Sequence, residues 1–234
     1  IVFGDWSSDV CSSDLADIFS VPFMPVAFFR DHSVFTGEGV PERVFTSSGT
    51  ADMRRSHHHV KSLALCNESL ERAFRLFYGD PSEYAIMGLL PSYLEREGSS
   101  LIYMVNRLMT LSGNSCGGFF LDDHDALMKA IDGARRSGLR VLLIGVTFAL
   151  LDMAESHRAD LSDAIIMETG GMKGRRREMI REEVHEILTE AFGVTAVHSE
   201  YGMTELLSQA YSAGGGLFMR SEERRVGKEC RSRW

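Results

Sequence analysis

Ser137-Gly138-Leu139-Arg140-Val141-Leu142-Leu143-Ile144 passes from a helix stop straight into a continuous apolar strand. A short apolar run bounded by a turn reads as a strand buried on both faces. Upstream, residues 122–136 read as a helix with an acidic start and a basic end, the favourable sense for the helix dipole. Downstream, the pattern predicts a helix over 148–156, a strand over 164–167 and a helix over 176–192. On the last helix Ile180, Val184, Ile187, Leu188 and Ala191 recur on one face, and Gly193 ends it. Residues 194–197 predict another strand. Toward the N-terminus, 84–90 reads as a strand stopped by Pro91, 101–111 as a helix and 117–121 as a short strand. Short apolar strands alternating with helices predict an α/β fold of largely parallel sheets flanked by helices. Ligands in such sheets sit at the carboxyl ends of strands.

Both ends of the chain are read apart from this pattern. Residues 5–15 (DWSSDVCSSDL) and 220–234 (RSEERRVGKECRSRW) resemble translated sequencing-adapter DNA. The organisation expected is therefore a segment 1–15 of uncertain origin, one partial domain over 16–219 and an adapter-like tail over 220–234. The two adapter-like segments carry equal numbers of basic and acidic residues, so the net charge of −8 belongs to the interior. An acidic balance argues against wholesale nucleic-acid binding. The interior cysteines, Cys66 and Cys116, form no disulfide framework and no zinc spacing, which fits a reducing, cytoplasmic compartment. The apolar stretch 141–151 is too short to span a membrane and contains Gly145 and Thr147.

Three segments carry the chemistry. Thr46-Ser47-Ser48-Gly49-Thr50 sets four hydroxyls and a glycine after a predicted strand. Such a turn can aim several donors at a phosphate, or be an ordinary Ser/Gly loop. It is not the Walker pattern. Glu168-Thr169-Gly170-Gly171 ends a buried strand; paired glycines let a backbone approach a flat ligand, or simply turn the chain. Lys173, Arg175, Arg176 and Arg177 follow, as phosphate contacts or as a solvated helix start. His198-Ser199-Glu200-Tyr201-Gly202-Met203-Thr204-Glu205 combines an aromatic face, a tight bend, a hydroxyl and carboxylates. Mg²⁺ is usually held by one or two carboxylates plus substrate phosphates. Glu200 and Glu205 are the candidates, with Glu205 favoured. His57-His58-His59 cannot turn three side chains to one face, so no metal site is expected there. Ser115-Cys116-Gly117 reads as a structural cysteine in preference to a nucleophile turn.

The order of these segments resembles the adenylate-forming enzymes, whose motifs read T/S-S-G-T-T-G-x-P-K and Y-G-x-T-E. Tyr201-Gly202-Met203-Thr204-Glu205 matches the second in full. The first is matched in part: Ala51 and Asp52 replace the usual Thr and Gly, and the lysine is missing, with Arg54 or Arg55 the nearest cation. Over most of 34–217 the chain is similar to the acyl-protein synthetases, the fatty-acid-activating ligases of bacterial luminescence. The resemblance is carried by Leu89-Leu90-Pro91-Ser92-Tyr93-Leu94-Glu95-Arg96-Glu97-Gly98, by Met167-Glu168-Thr169-Gly170-Gly171-Met172-Lys173-Gly174-Arg175-Arg176 and by residues 198–212. It implies the large N-terminal domain of that fold, acting on ATP, Mg²⁺ and a carboxylic, fatty acid, with transfer of the acyl group to a protein or other acceptor. It further implies that Thr46, Ser47, Ser48, Gly49 and Thr50 hold the β- and γ-phosphates. Gly170 and Gly171 would flank adenine and Tyr201 stack on it, with Gly202 and Met203 completing the turn. Thr204 would contact the α-phosphate, Glu205 bind Mg²⁺, and Tyr93 border the acyl pocket. The family's mobile C-terminal domain and its lysine have no counterpart before Met219, so 16–219 alone is expected to be inactive or nearly so. A phenylacetate-type CoA ligase and a non-catalytic nucleotide- or acyl-binding relative are the alternatives.

Overall fold

The computed structural model describes residues 24–48, 54–91, 98–172 and 176–220. A short helix α1 (Phe28–Asp31) precedes a hairpin of β1 (Arg43–Thr46) and β2 (His57–Val60). There follow α2 (Leu63–Tyr78), β3 (Tyr84–Leu89), α3 (Ser100–Ser112), β4 (Gly118–Phe119), α4 (His124–Arg136), β5 (Arg140–Val146) and α5 (Thr147–Ser156). The chain then forms β6 (Ile165–Thr169), α6 (Arg181–Phe192), β7 (His198–Gly202), β8 (Gln209–Ser212) and β9 (Met219–Arg220). The main sheet has the order β4-β3-β5-β6-β7-β8-β9. Strands β4 through β7 are parallel, while β8 and β9 are antiparallel additions. The mixed α/β architecture with a mostly parallel sheet is the one expected. The central strands explain it: β3 is buried at every residue and β5 at all but Arg140. Strands apolar on both sides must be covered on both sides, and helices do so through βαβ crossovers.

Helix α4 begins where the chain offers a cap, the Asp123 carboxylate accepting from the Ala126 N–H at 2.9 Å. Arg135 and Arg136 lie in its last turn. Ser99 caps α3 in the same way, and Gly113, left-handed at φ 68°, ends it.

Four expectations are corrected. The strand placed at 194–197 lies at His198–Gly202, so the motif is itself the strand. Val194 and Val197 are buried without pairing, because apolarity signals burial and not ladder formation. Strand β6 runs on through Glu168 and Thr169, leaving only Gly170 and Gly171 as the turn. The helix expected from 176 starts at Arg181, with Ile180 extended at its N-cap. Ile180 and Ile187 are 62% and 38% exposed, and the buried stripe is Val184, Leu188, Ala191 and Phe192. Thr46 and its neighbours leave the small hairpin, not a strand of the main sheet. Helix α2 was not foreseen at all.

Candidate functional site

The three segments singled out in the sequence meet around one cavity of about 390 Å³, lined by Thr46–Ser48, by Glu168 through Gly171 and by Glu200 through Thr204. That volume lies within the roughly 300–1,000 Å³ of small-molecule sites. Strands β6 and β7 lie side by side, pairing Glu168 with Ser199 and Thr169 with Glu200, so their carboxyl ends open at one level. The hairpin brings Thr46 and Ser47 to the same opening. The Thr46 N–H donates to the Gly98 carbonyl at 2.8 Å. A Cβ at Gly98 would sit 3.0 Å from Thr46 Oγ1 and 3.1 Å from the Val44 carbonyl, and its φ is +82°. Only glycine lets that approach occur without strain. Ser47 Oγ accepts from the Ser56 N–H at 2.9 Å, so it closes the hairpin and keeps its own proton for a further acceptor. Gly49, Thr50 and Tyr93 lie outside the described residues.

The motif after β7 is tied down from the hairpin side. His58 Nδ1 donates to the Thr204 carbonyl at 2.8 Å, and Thr204 Oγ1 lies 3.4 Å from Ser100 Oγ. The central histidine of the triplet is therefore an anchor for the loop. Among the described residues no group of three or more His, Cys, Asp or Glu side chains could hold a metal ion. Tyr201 is 41% exposed at the cavity edge, with the Phe218 ring edge-on at 6.2 Å. The Arg181 guanidinium lies over Phe218 at 4.9 Å. Gly171 faces open space: a Cβ there would meet nothing within 4 Å. Glycine, aromatic ring and cation thus surround a gap able to take a flat ring and phosphates.

Two buried carboxylates line this cavity, and their surroundings set them apart. Burial works to raise the Glu168 carboxyl, but His185, Ser199, Thr147 and the Arg181 charge together outweigh it and hold it below the usual carboxylate range. Thr147 Oγ1 donates to it at 3.0 Å, and Arg181 Nε lies 3.5 Å away. Glu200 has one such donor, Thr169 Oγ1 at 2.7 Å. Burial pushes it up to about 7, opposed by the Thr169 hydrogen bond and reinforced by the charge of Glu168. From the sequence, the segment Glu168–Gly171 carries site roles at its glycines and none at Glu168, and Glu200 stands below Glu205; Glu205 is not among the residues lining the cavity.

Cations line the cavity at Arg55 and Arg181. Arg181 was not anticipated, since its approach depends on where α6 starts. Arg176, a candidate phosphate contact, is instead paired with Asp152 and with Glu155 at 2.7 Å, which draws it back onto α5. Lys173 and Arg175 lie outside the described residues. Cys116 is half-buried and free, with no base among its hydrogen-bond partners. Among the described residues no helix is long and apolar enough to cross a membrane. No family model, no curated protein and no solved structure matches the chain.

Proposed function

We propose that the protein activates a carboxylic acid with ATP, giving an acyl-adenylate and pyrophosphate. The observation that carries the reading is the convergence of three segments, far apart in sequence, on one cavity with an open glycine turn, an exposed tyrosine and two arginines. In this reaction a carboxylate oxygen attacks the α-phosphorus, and pyrophosphate leaves with the electron pair of the broken P–O bond. Nucleophile and electrophile both carry negative charge, so the site has to position them and offset that charge. Gly170 and Gly171 border the base, with Tyr201 offering a ring face. Thr46, Ser47 and Ser48 offer hydroxyl donors to the β- and γ-phosphates, and Arg55 and Arg181 supply positive charge. Thr204 contacts the α-phosphate. Hydrogen bonds to a charged group contribute roughly 1.5–3 kcal/mol each, so three or four such donors suffice for a triphosphate.

The donor set suits Mg²⁺ as a partner of the nucleotide, since one or two carboxylates with substrate phosphates complete its shell. Bound there, Mg²⁺ would draw charge from the phosphate oxygens. The motif resemblance assigns it to Glu205, and the ionised carboxylate lining the cavity is Glu168. Titration calorimetry with Mg-ATP tests the reading: saturable binding is expected, and its absence would remove it. The acyl acceptor, a protein as in the acyl-protein synthetases or the CoA thiol, is decided by acceptor assays. Ala51 and Asp52 favour a second reading, a nucleotide-binding protein without turnover. Acid-dependent hydroxamate formation would eliminate it.

A further inference from the structure

The cavity is also lined by two polar side chains, Glu200 and Gln209, for which the resemblance supplies no ligand group. Glu200 is 6% exposed, lines the cavity and accepts from Thr169 through Oε2 alone. Among the described residues no hydrogen bond reaches its Oε1. Gln209 lines the same cavity, and its buried Oε1 has no hydrogen-bond partner. The sheet register puts these acceptors on one face: Glu200 opposes Tyr211, and Gly202 opposes Gln209. A Cβ at Gly202 would sit 2.8 Å from Glu200 Oε1 and 3.9 Å from Gln209 Cγ. The glycine of the motif therefore also leaves space beside both side chains. Tyr211 lies opposite Glu200 but its hydroxyl makes no hydrogen bond to it. Phe45, Cys66, Leu70 and Met104 add apolar surface to the lining of the same cavity.

A buried acceptor with no donor to meet it, Gln209 Oε1, beside a buried carboxylate with a single donor, is costly in an empty apolar site. A plain alkyl tail leaves both unsatisfied. An alkylammonium end brings three N–H donors, and its methylenes suit the apolar part of the lining. We propose that Glu200 and Gln209 bind a primary ammonium group on the ligand, so that the cavity selects an amine-bearing chain over a bare alkyl chain. That the chain is the acid being activated rests on the proposed reaction; recognition of the ammonium group by Glu200 does not.

Titration calorimetry on the whole chain with hexylammonium, 6-aminohexanoate and hexanoate tests this. Hexylammonium is expected to bind at millimolar concentration, and 6-aminohexanoate to bind at least about fivefold more tightly than hexanoate, the smallest effect of leaving a buried acceptor unpaired. Glu200→Gln and, separately, Gln209→Leu should weaken hexylammonium binding by about tenfold or more, with far-UV circular dichroism unchanged. The proposal is overturned if hexylammonium does not bind, if both variants bind it as the parent does, or if hexanoate binds as tightly as 6-aminohexanoate. Hexylammonium binding through Glu200 without Mg-ATP binding would remove the activation reaction and leave this inference standing. Mg-ATP binding with no preference for the amine would do the reverse.

Discussion

Replacing Glu200 by glutamine should stabilise the protein, and more so as the pH rises. The carboxyl is buried, and its folded-state value is pushed from 4.5 to about 7 by that burial, with Thr169 opposing and Glu168 adding to the rise. Between those two values the unfolded chain has released this proton and the folded protein still holds it. The folded state binds more protons, so stability falls as pH rises through that window. Below pH 4.5 both states are protonated and the effect vanishes; above about 7 both are ionised and it reaches its full size. Each pKa unit corresponds to about 1.4 kcal/mol, so the full destabilisation is on the order of 3 kcal/mol. Glutamine keeps an acceptor for Thr169 Oγ1 and cannot ionise. Urea unfolding of parent and variant at pH 4.5, 6 and 8 measures the difference. The gap should open from near zero to a few kcal/mol. Parallel stabilities across the range, or a variant losing stability at high pH, would refute the reasoning.

Other perturbations follow from the same geometry. Glu168→Gln removes a carboxylate whose folded value is depressed, a group whose contribution is present above its unfolded value and lost as pH falls through its folded one. The variant should therefore be less stable than the parent near neutrality, and the difference should shrink on acid titration followed by circular dichroism. His58→Phe removes the donor to the Thr204 carbonyl; a loss of about 1 kcal/mol in urea unfolding is expected, with weaker Mg-ATP binding as the loop loosens. Leu142→Ala empties a fully buried position in β5 and should cost about 2–5 kcal/mol in the same assay.

The apolar strands β3 and β5 were legible in the sequence because burial on both faces leaves an unbroken hydrophobic run. Strand β7 was not. Its pairing residues, Ser199 and Glu200, are polar and buried, and their place is set by neighbours in β6 and β8 that a local pattern does not contain. Ile180 and Ile187 show the opposite failure, fitting a helical stripe that the late start and orientation of α6 leave exposed. The segments at 46–48, 168–171 and 201–204 were legible as candidate site parts. The role of Glu200 and Gln209 was not, because it depends on a cross-strand register around Gly202.

Gly171 offers the most direct test of the central claim that this cavity binds the nucleotide. A Cβ there meets nothing within 4 Å, so Gly171→Ala adds a methyl group at the cavity edge without displacing protein atoms. Mg-ATP titration of parent and variant, with circular dichroism as the control for folding, is the measurement. The account predicts saturable binding by the parent and at least about a tenfold loss in the folded variant. Equal affinity in the two proteins, or no binding by the parent, would contradict it.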